Sequence, residues 1–320
     1  MKLVKVDSIS LGSPNEGVFG ITDFEVLGDD LYVADDMAKM VHVFDRSGRR
    51  LRTLGRPGAG PGEFKMPVSV TFSPRGVLVV DPSHGNRVSV FGFDGTFIES
   101  RAFDTPTPPV AITMTGNRMV SMGVLGITDP GRQGWNVLGI TDAEGKRVGQ
   151  GCMMDARYLE SSKREGMLSH IDFGGVSSRD NRIYCTQSIS PVVQVMDSLG
   201  RPIEQIRIAP PFYVAPRDKE ETLNQKAIFD YLGSFTAHVA FYPVEGGFVS
   251  VYSRFDPKLG EVRYHLFACE TGEKRECGVV RNIRKPVYIP SLRTVYVEEE
   301  SQPNQPVRVG VYQMSGFGVG

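Results

Sequence analysis

With 320 residues, of which 40% are hydrophobic and 9% aromatic, the chain is long enough for two average domains and apolar enough for a packed core. Its formal net charge is −1, and the charges are dispersed, whereas nucleic-acid binding needs a basic face that neutralises phosphates. This argues against a nucleic-acid partner, and no apolar stretch reaches the length of a membrane span. One local group of basic residues is interpreted as a solvated outer face: Arg275, Arg281, Arg284, Lys285 and Arg293.

The N-terminus has no signal-peptide core, because Lys5 and Asp7 follow Met1 within a few residues. We therefore expect a cytoplasmic protein as the chain is given, or an exported one if a leader has been removed.

The first predicted elements form two similar units of four short strands. In the first unit the strands are residues 21–26, 31–35, 41–44 and 50–54. In the second unit they are residues 68–72, 77–81, 88–91 and 96–100. The alternating apolar pattern and the Gly, Pro and Asp turns predict antiparallel strands in both units.

A turn that ends in glycine recurs six times along the chain. The glycines are Gly48, Gly95, Gly145, Gly200, Gly272 and Gly316, at intervals of 47, 50, 55, 72 and 44 residues. A supersecondary unit repeating at about 40–50 residues is the signature of a propeller blade. The sequence predicts an all-β fold, a six-bladed β-propeller of four-stranded antiparallel blades forming one domain over residues 1–320. The alternative is an open two-sheet sandwich with incidental glycines.

The N-terminal segment predicts how the ring closes. Only four residues follow Gly316, too few for a good outer strand, whereas residues 2–12 form a strand without a unit of its own. We expect that strand to complete the last blade, which would remove an unpaired sheet edge.

Two segments resemble a known repeat. Residues 55–64 (Gly-Arg-Pro-Gly-Ala-Gly-Pro-Gly-Glu-Phe), Pro67, the strand that ends at Asp81 and residues 86–91 resemble an NHL repeat. Residues 12–55 resemble a second copy, with Met40 where the repeat usually has Arg. The resemblance implies a six-bladed propeller but no single activity, because such proteins include lyases, hydrolase-like relatives, RNA binders and interaction scaffolds.

The long insertions are all expected on one face of the ring. Loops from second to third strands, and from each blade to the next, share that face, and the insertions fall in these loops: residues 123–134, 150–168, 209–235, 253–261 and 298–306. Two of them look helical, one from about Asp155 to Glu165 and one from Pro216 to Gly233. These helices either cover the central pocket or pack on a blade edge.

Candidate ligand-binding residues lie in these insertions and in one turn on the same face. They are His84, Trp135, Tyr158, Tyr213, Tyr231, Arg254 and Asp256. Rigid aromatic side chains with a few polar groups suit recognition of a peptide, a glycan or a small ligand. The alternative is that the aromatic residues fix the insertions to the blades and that His84 is an ordinary turn residue. We find no Ser/His/Asp order and no phosphate-binding loop, so no catalytic residue is assigned.

The four cysteines suggest no zinc site. Cys152 and Cys185 are expected to be buried thiols, whereas Cys269 and Cys277 flank a hairpin turn and could form a disulfide in an oxidising compartment.

The sequence favours a non-catalytic binding module without a cofactor or a metal, which recognises a peptide, a protein partner or a small ligand on the loop-rich face. The alternative is a metal-assisted hydrolase or lyase of the propeller superfamily, with Ca²⁺ or Zn²⁺ at the central mouth.

Overall fold

The computed structural model describes residues 1–13, 17–85, 87–102, 109–123, 136–162, 174–218, 225–271, 276–300 and 305–317. Within these residues, six antiparallel sheets of four strands each follow one another along the chain. The predicted six-bladed β-propeller is therefore confirmed.

The first three blades use consecutive strands. The N-terminal strand is β1 (Lys2–Ser10). Blade one contains β2 (Asp23–Leu27), β3 (Asp30–Asp35), β4 (Met40–Phe44) and β5 (Arg50–Leu54). A short parallel pair follows, β6 (Arg56–Pro57) and β7 (Glu63–Phe64). Blade two contains β8 (Ser69–Ser73), β9 (Gly76–Val80), β10 (Arg87–Phe91) and β11 (Phe97–Ala102). Blade three contains β12 (Pro109–Thr115), β13 (Arg118–Gly123), β14 (Asn136–Thr141) and β15 (Arg147–Met153).

The last three blades alternate with two helices. Helix α1 (Ala156–Ser162) precedes blade four, which contains β16 (Gly174–Arg179), β17 (Arg182–Gln187), β18 (Val192–Asp197) and β19 (Pro202–Arg207). Helix α2 (Gln225–Leu232) precedes blade five, which contains β20 (Ala237–Val244), β21 (Gly247–Asp256), β22 (Glu261–Glu270) and β23 (Cys277–Ile283). Blade six contains β24 (Pro286–Ser291), β25 (Thr294–Glu298), β26 (Arg308–Ser315) and β1.

The N-terminal strand closes the ring, as the sequence predicts. Strand β1 pairs antiparallel with β26 from Lys2 opposite Ser315 to Ser10 opposite Arg308. The closed blade also contacts blade one, where the Gly12 N–H donates to the Gly48 carbonyl oxygen at 3.0 Å. Gly48 has φ +83°, and a Cβ there would lie 1.9 Å from the Ser10 carbonyl oxygen. Only glycine fits this position, which explains the end of the first recurring turn.

The core lies between neighbouring blades. One apolar cluster joins Leu11 and Val309 of blade six to Leu31 and Phe44 of blade one. Because both faces of a blade pack against neighbours, its middle strands are buried on both sides, and β3 and β9 are almost continuously buried.

Both predicted helices exist, and the predicted end of α1 near Glu165 lies outside the described residues. Asp155 begins α1, since its carboxylate accepts from the Arg157 N–H at 3.0 Å. Helix α2 ends as predicted, where the Gly233 N–H donates to the Phe229 carbonyl oxygen at 3.0 Å. The predicted start of α2 at Pro216 is wrong, because residues 216–218 are not helical. Its first residue in the described chain is Gln225.

Two of the predicted insertions are partly strand. Most of residues 253–261 extend a hairpin, because β21 and β22 stay paired up to Asp256 opposite Glu261. Residues 150–153 belong to β15 rather than to a loop. Residues 124–134, 163–168 and 301–304 lie outside the described residues. Within the described part of the chain, no helix is long and apolar enough to cross a membrane.

Two disulfides connect the four cysteines. Cys269 and Cys277 face each other across β22 and β23 and are bonded, as the sequence allows. Cys152 at the end of β15 is bonded to Cys185 of β17, so the expectation of two buried thiols is wrong. The sequence separation of 33 between these cysteines obscures their proximity, which arises only when blades three and four pack together.

Candidate functional site

A cavity of about 630 Å³ opens on blade five at the loop-rich face. Three parts of the chain form its walls: the connector between blades four and five, the hairpin of β21 and β22, and the end of β23. All three are on the rigid propeller, so the cavity combines a fixed scaffold with loop-borne side chains.

The connector wall is held by hydrogen bonds to Thr236. The Thr236 N–H donates to the Val214 carbonyl oxygen at 2.9 Å, and the Val214 N–H donates to Thr236 Oγ1 at 3.3 Å. The preceding Phe212 ring lies edge-on to Tyr252, with centroids 5.4 Å apart, and 5.0 Å from the His265 ring. The connector therefore presents an aromatic surface in a defined position.

The hairpin wall is fixed by two polar side chains. Arg254 Nε–H donates to the Gly233 carbonyl oxygen at 2.9 Å, which ties the hairpin to the end of α2. Asp256 Oδ1 accepts from the Lys258 N–H at 2.9 Å and from the Leu259 N–H at 3.4 Å. The Asp256 carboxylate thus stabilises the hairpin turn, and these two hydrogen bonds use part of its capacity to accept from a ligand.

Positive charge dominates the described lining of the cavity. Four basic side chains border it, Arg254, Lys258, Arg263 and Arg281, against the single carboxylate of Asp256. Arg263 pairs with Glu261 at 2.9 Å. Within the described chain, Arg254, Lys258 and Arg281 have no ion-pair partner.

The position of Arg281 was not expected from the sequence. The sequence predicts a solvated outer face for the basic group to which it belongs, but Arg281 borders the cavity and lies over the Phe212 ring at 5.4 Å. Burial lowers the pKa of His265, and the positive charges of Arg281 and Arg254 lower it further. The site therefore favours a neutral imidazole beside two cations.

Two of the seven predicted ligand-binding residues, Arg254 and Asp256, line this cavity together. Tyr213 lies behind the connector wall, with its ring 6.1 Å from Tyr252 and its hydroxyl donating to the Ile189 carbonyl oxygen at 3.4 Å. Trp135 lies outside the described residues. His84 ends a short 3₁₀ turn, and its side chain is outside the description as well.

Tyr158 and Tyr231 lie in the core between blades three and four, each only 2% exposed. The Tyr158 hydroxyl is 3.0 Å from Ser188 Oγ, and the Tyr231 ring packs on Phe235 with centroids 5.3 Å apart. In this arrangement both tyrosines attach their helices to the blades, so a ligand could reach them only if the helices moved.

Phe212, His265 and Arg281 also line the cavity but are not among the seven predicted ligand-binding residues. Phe212 could have been found from the aromatic cluster in its insertion. The register of β22 and β23, with Cys269 opposite Cys277 and Leu266 opposite Val280, brings His265 and Arg281 to neighbouring positions. The predicted pairing of Cys269 with Cys277 is the sequence signal that could have indicated this.

The central channel is a second cavity, of about 560 Å³. The inner strands of all six blades line it, with the carboxyl groups of Asp23 and Glu25 on one strand. Asp23 accepts from the Val70 N–H at 2.8 Å and the Phe24 N–H at 2.9 Å. Burial, followed by the neighbouring Asp23, raises the pKa of Glu25 to about 8. Within the described chain, no group of three or more potential metal ligands is present.

The Glu25 carboxyl should make the stability of the fold depend on pH between about 4.5 and about 8. Its pKa is 4.5 without the fold and about 8 within it, so the folded state holds an extra proton between these values. The free energy of unfolding should therefore fall as the pH rises through this window, by up to about 1.4 kcal/mol per pH unit. Glu25→Gln should flatten this slope in urea unfolding at about pH 5 and about pH 8.

The matched control is Glu204→Gln, because the Glu204 side chain is 50% exposed and should leave the slope unchanged. An equally steep slope in the Glu25→Gln variant would contradict the assignment.

Comparison with known proteins supports the six-bladed architecture. Residues 2–156 match the family described as 6-bladed beta-propeller (DUF5128). A protein from Bacteroides fragilis NCTC 9343 superposes with a TM-score of 0.66 at 10% identity, covering 98% of this chain and 96% of its own. A member of the duf4221 family from Bacteroides vulgatus ATCC 8482 gives a TM-score of 0.65 at 11% identity, covering 97% of each chain.

A streptogramin B lyase is similar at a TM-score of 0.49 and 13% identity, covering 97% of each chain, which carries no argument about activity. A search of curated proteins found no match. The chain is thus a six-bladed β-propeller, and its first half, residues 2–156, matches the DUF5128 family.

Proposed function

We propose that this protein is a non-catalytic binding module that holds a small ligand in the blade-five cavity of its loop-rich face. The observation that carries the proposal is the cavity itself, a 630 Å³ space with aromatic and charged walls. Ligand sites of proteins are concave spaces of a few hundred Å³ with a few convergent polar groups. Arg254 and Asp256, selected from the sequence alone, both border it.

The arrangement suits binding because its side chains are held before a ligand arrives. Thr236 fixes the connector, and Arg254 ties the hairpin to the end of α2. Preorganised walls reduce the conformational entropy that a ligand must remove.

The repeat type and the compartment are part of the proposal. The two segments that resemble NHL repeats, residues 12–55 and 55–91, coincide with blade one and most of blade two. This supports an NHL-type propeller. Disulfides persist in oxidising compartments, so the two bonds in this chain favour an exported protein.

A second candidate function is a metal-assisted hydrolase or lyase that acts at the central channel. The observation in its favour is the pair of carboxyl groups, Asp23 and Glu25, in that channel. Oxygen ligands of this kind suit a divalent cation.

A variant with a filled cavity tests the leading proposal. Val214 borders the cavity and is 40% exposed, so Val214→Trp should fill the space without disturbing the core. A panel of neutral, anionic and cationic small molecules is screened by thermal shift. We expect compounds that raise the Tm of the parent protein to lose this effect in Val214→Trp.

The matched control is Val148→Trp, because Val148 is 39% exposed on β15 of blade three. This variant should respond to the compounds as the parent does. If the compounds stabilise Val214→Trp as well as the parent, the ligand binds elsewhere and the channel becomes the candidate. If no compound in the panel stabilises the parent, the small-ligand proposal is overturned.

A further inference from the structure

We propose that the blade-five cavity, if it is the ligand site proposed above, selects an organic anion: a carboxylate or a phosphate ester that carries a planar apolar group. Three cations, one neutral imidazole and one aromatic ring border the cavity and give it this preference.

The cavity offers hydrogen-bond donors with few competing acceptors. Arg254 uses only its Nε–H within the described structure, toward the Gly233 carbonyl oxygen, and the rest of its guanidinium is available. Lys258 and Arg281 have no ion-pair partner among the described residues. Guanidinium and ammonium groups on a cavity wall donate to carboxylate or phosphate oxygens, and such charge-assisted bonds are the strong ones.

His265 adds a further donor. The Asn282 N–H donates to His265 Nδ1 at 3.4 Å, so a neutral imidazole carries its proton on Nε2. Burial and the adjacent arginines lower the pKa of His265, which favours this neutral form. A neutral ring with one N–H can donate to a ligand oxygen without further crowding of positive charge.

The single lining carboxylate does not offset this charge. Asp256 Oδ1 already accepts two N–H groups of the hairpin turn, from Lys258 and Leu259. A cationic ligand would therefore meet three cations that have no ion-pair partner among the described residues, and one carboxylate that already accepts two hydrogen bonds. Like-charge repulsion in a partly enclosed site disfavours that class of ligand.

An aromatic surface lies beside the cations. Arg281 is over the Phe212 ring at 5.4 Å, and the Phe212 ring is 5.0 Å from the His265 ring. Phe212 also borders the cavity. A planar group could pack along this ring system while its anionic end reaches the guanidinium groups, which explains why the site combines both features.

The test compares three probes by isothermal titration at low salt. Benzoate and benzamide have the same shape and differ in charge, and phenyl phosphate carries the alternative anion. We expect benzoate or phenyl phosphate to bind at least tenfold more tightly than benzamide. Added salt should weaken the binding of the two anions more than the binding of benzamide. The stronger of the two anions identifies the preferred group.

Two variants locate the interaction. Arg281→Met removes the charge and keeps an extended side chain over Phe212, so anion affinity should fall about tenfold with benzamide affinity unchanged. Arg182→Met is the control, because it removes a half-exposed arginine of blade four. It should change neither the affinity for the anions nor the affinity for benzamide.

Each outcome bears on a different proposal. If benzamide binds as tightly as the anions and Val214→Trp abolishes its binding, charge selection is wrong and the proposed site stands. If anion binding survives both Val214→Trp and Arg281→Met, the site and the inference both fail. If none of the three probes binds, the inference is overturned for this ligand class.

Discussion

A chain that lacks residues 1–12 should be insoluble or unfolded under conditions in which the parent protein is folded. Strand β1 forms one of the four strands of blade six and pairs along the whole of β26. Its removal exposes the backbone groups of β26, and an unpaired edge strand promotes aggregation. It also removes Ile9 and Leu11, 5% and 0% exposed, from the cluster that joins blade six to blade one.

The expected loss is comparable to the usual reserve of stability. Each buried aliphatic side chain contributes about 1.5–3 kcal/mol, and the lost strand pairing adds to this, against a typical total of about 5–15 kcal/mol. Thermal unfolding followed by far-UV circular dichroism, together with size-exclusion chromatography, measures the effect. A deletion variant that unfolds cooperatively at the parent Tm would contradict closure of the ring by β1.

A circular permutant provides the control for this deletion. Appending residues 1–12 after Gly320 keeps all strands. Because Lys2 pairs with Ser315, the appended segment has only a short distance to cover before it reaches its place beside β26. This permutant should regain cooperative unfolding, because β1 and β26 would then form a simple hairpin. Recovery would show that the deletion acts through the missing strand and not through a general intolerance of a new N-terminus.

The architecture could be predicted because it depends on local turns whose residue requirements are visible in the sequence. Each blade needs a tight turn before its outer strand, and the turn at Gly48 tolerates no side chain. Because such a turn requires glycine, a glycine recurs at similar intervals along the chain. The number of these glycines gives the number of blades. Closure followed from the same reasoning, since the strand ending at Ser10 lacked a unit of its own.

The details of the site could not be predicted in the same way. Tyr158 and Tyr231 share the residue type of a binding aromatic, yet the packing between blades three and four places both in the core. Exposure depends on how an insertion folds back on the ring, which residue type does not encode. Arg281 borders the cavity because β23 continues past Val280 beside His265 of β22, and nothing in the sequence indicates that a cavity opens there.

The inter-blade disulfide should contribute more to stability than the disulfide within a hairpin. Cys152 and Cys185 enclose a chain segment of 33 residues, whereas Cys269 and Cys277 are 8 residues apart. In the chain-entropy account, a cross-link stabilises the fold by restricting the unfolded chain, and the effect grows with the logarithm of loop length. The account gives about 4 kcal/mol for the long loop and about 2.5 kcal/mol for the short one.

The test replaces each pair by alanine in separate variants, Cys152→Ala with Cys185→Ala and Cys269→Ala with Cys277→Ala. The second variant is the matched control, because it removes a disulfide of the same chemistry within one blade. Urea unfolding should show the larger loss in the first variant, since its bond also holds the end of β15, just before α1, against blade four. A reductant should lower the stability of the parent but not that of a variant lacking all four cysteines. Equal losses in the two variants, or a larger loss from the hairpin pair, would show that the inter-blade bond does not act through the length of the loop it closes.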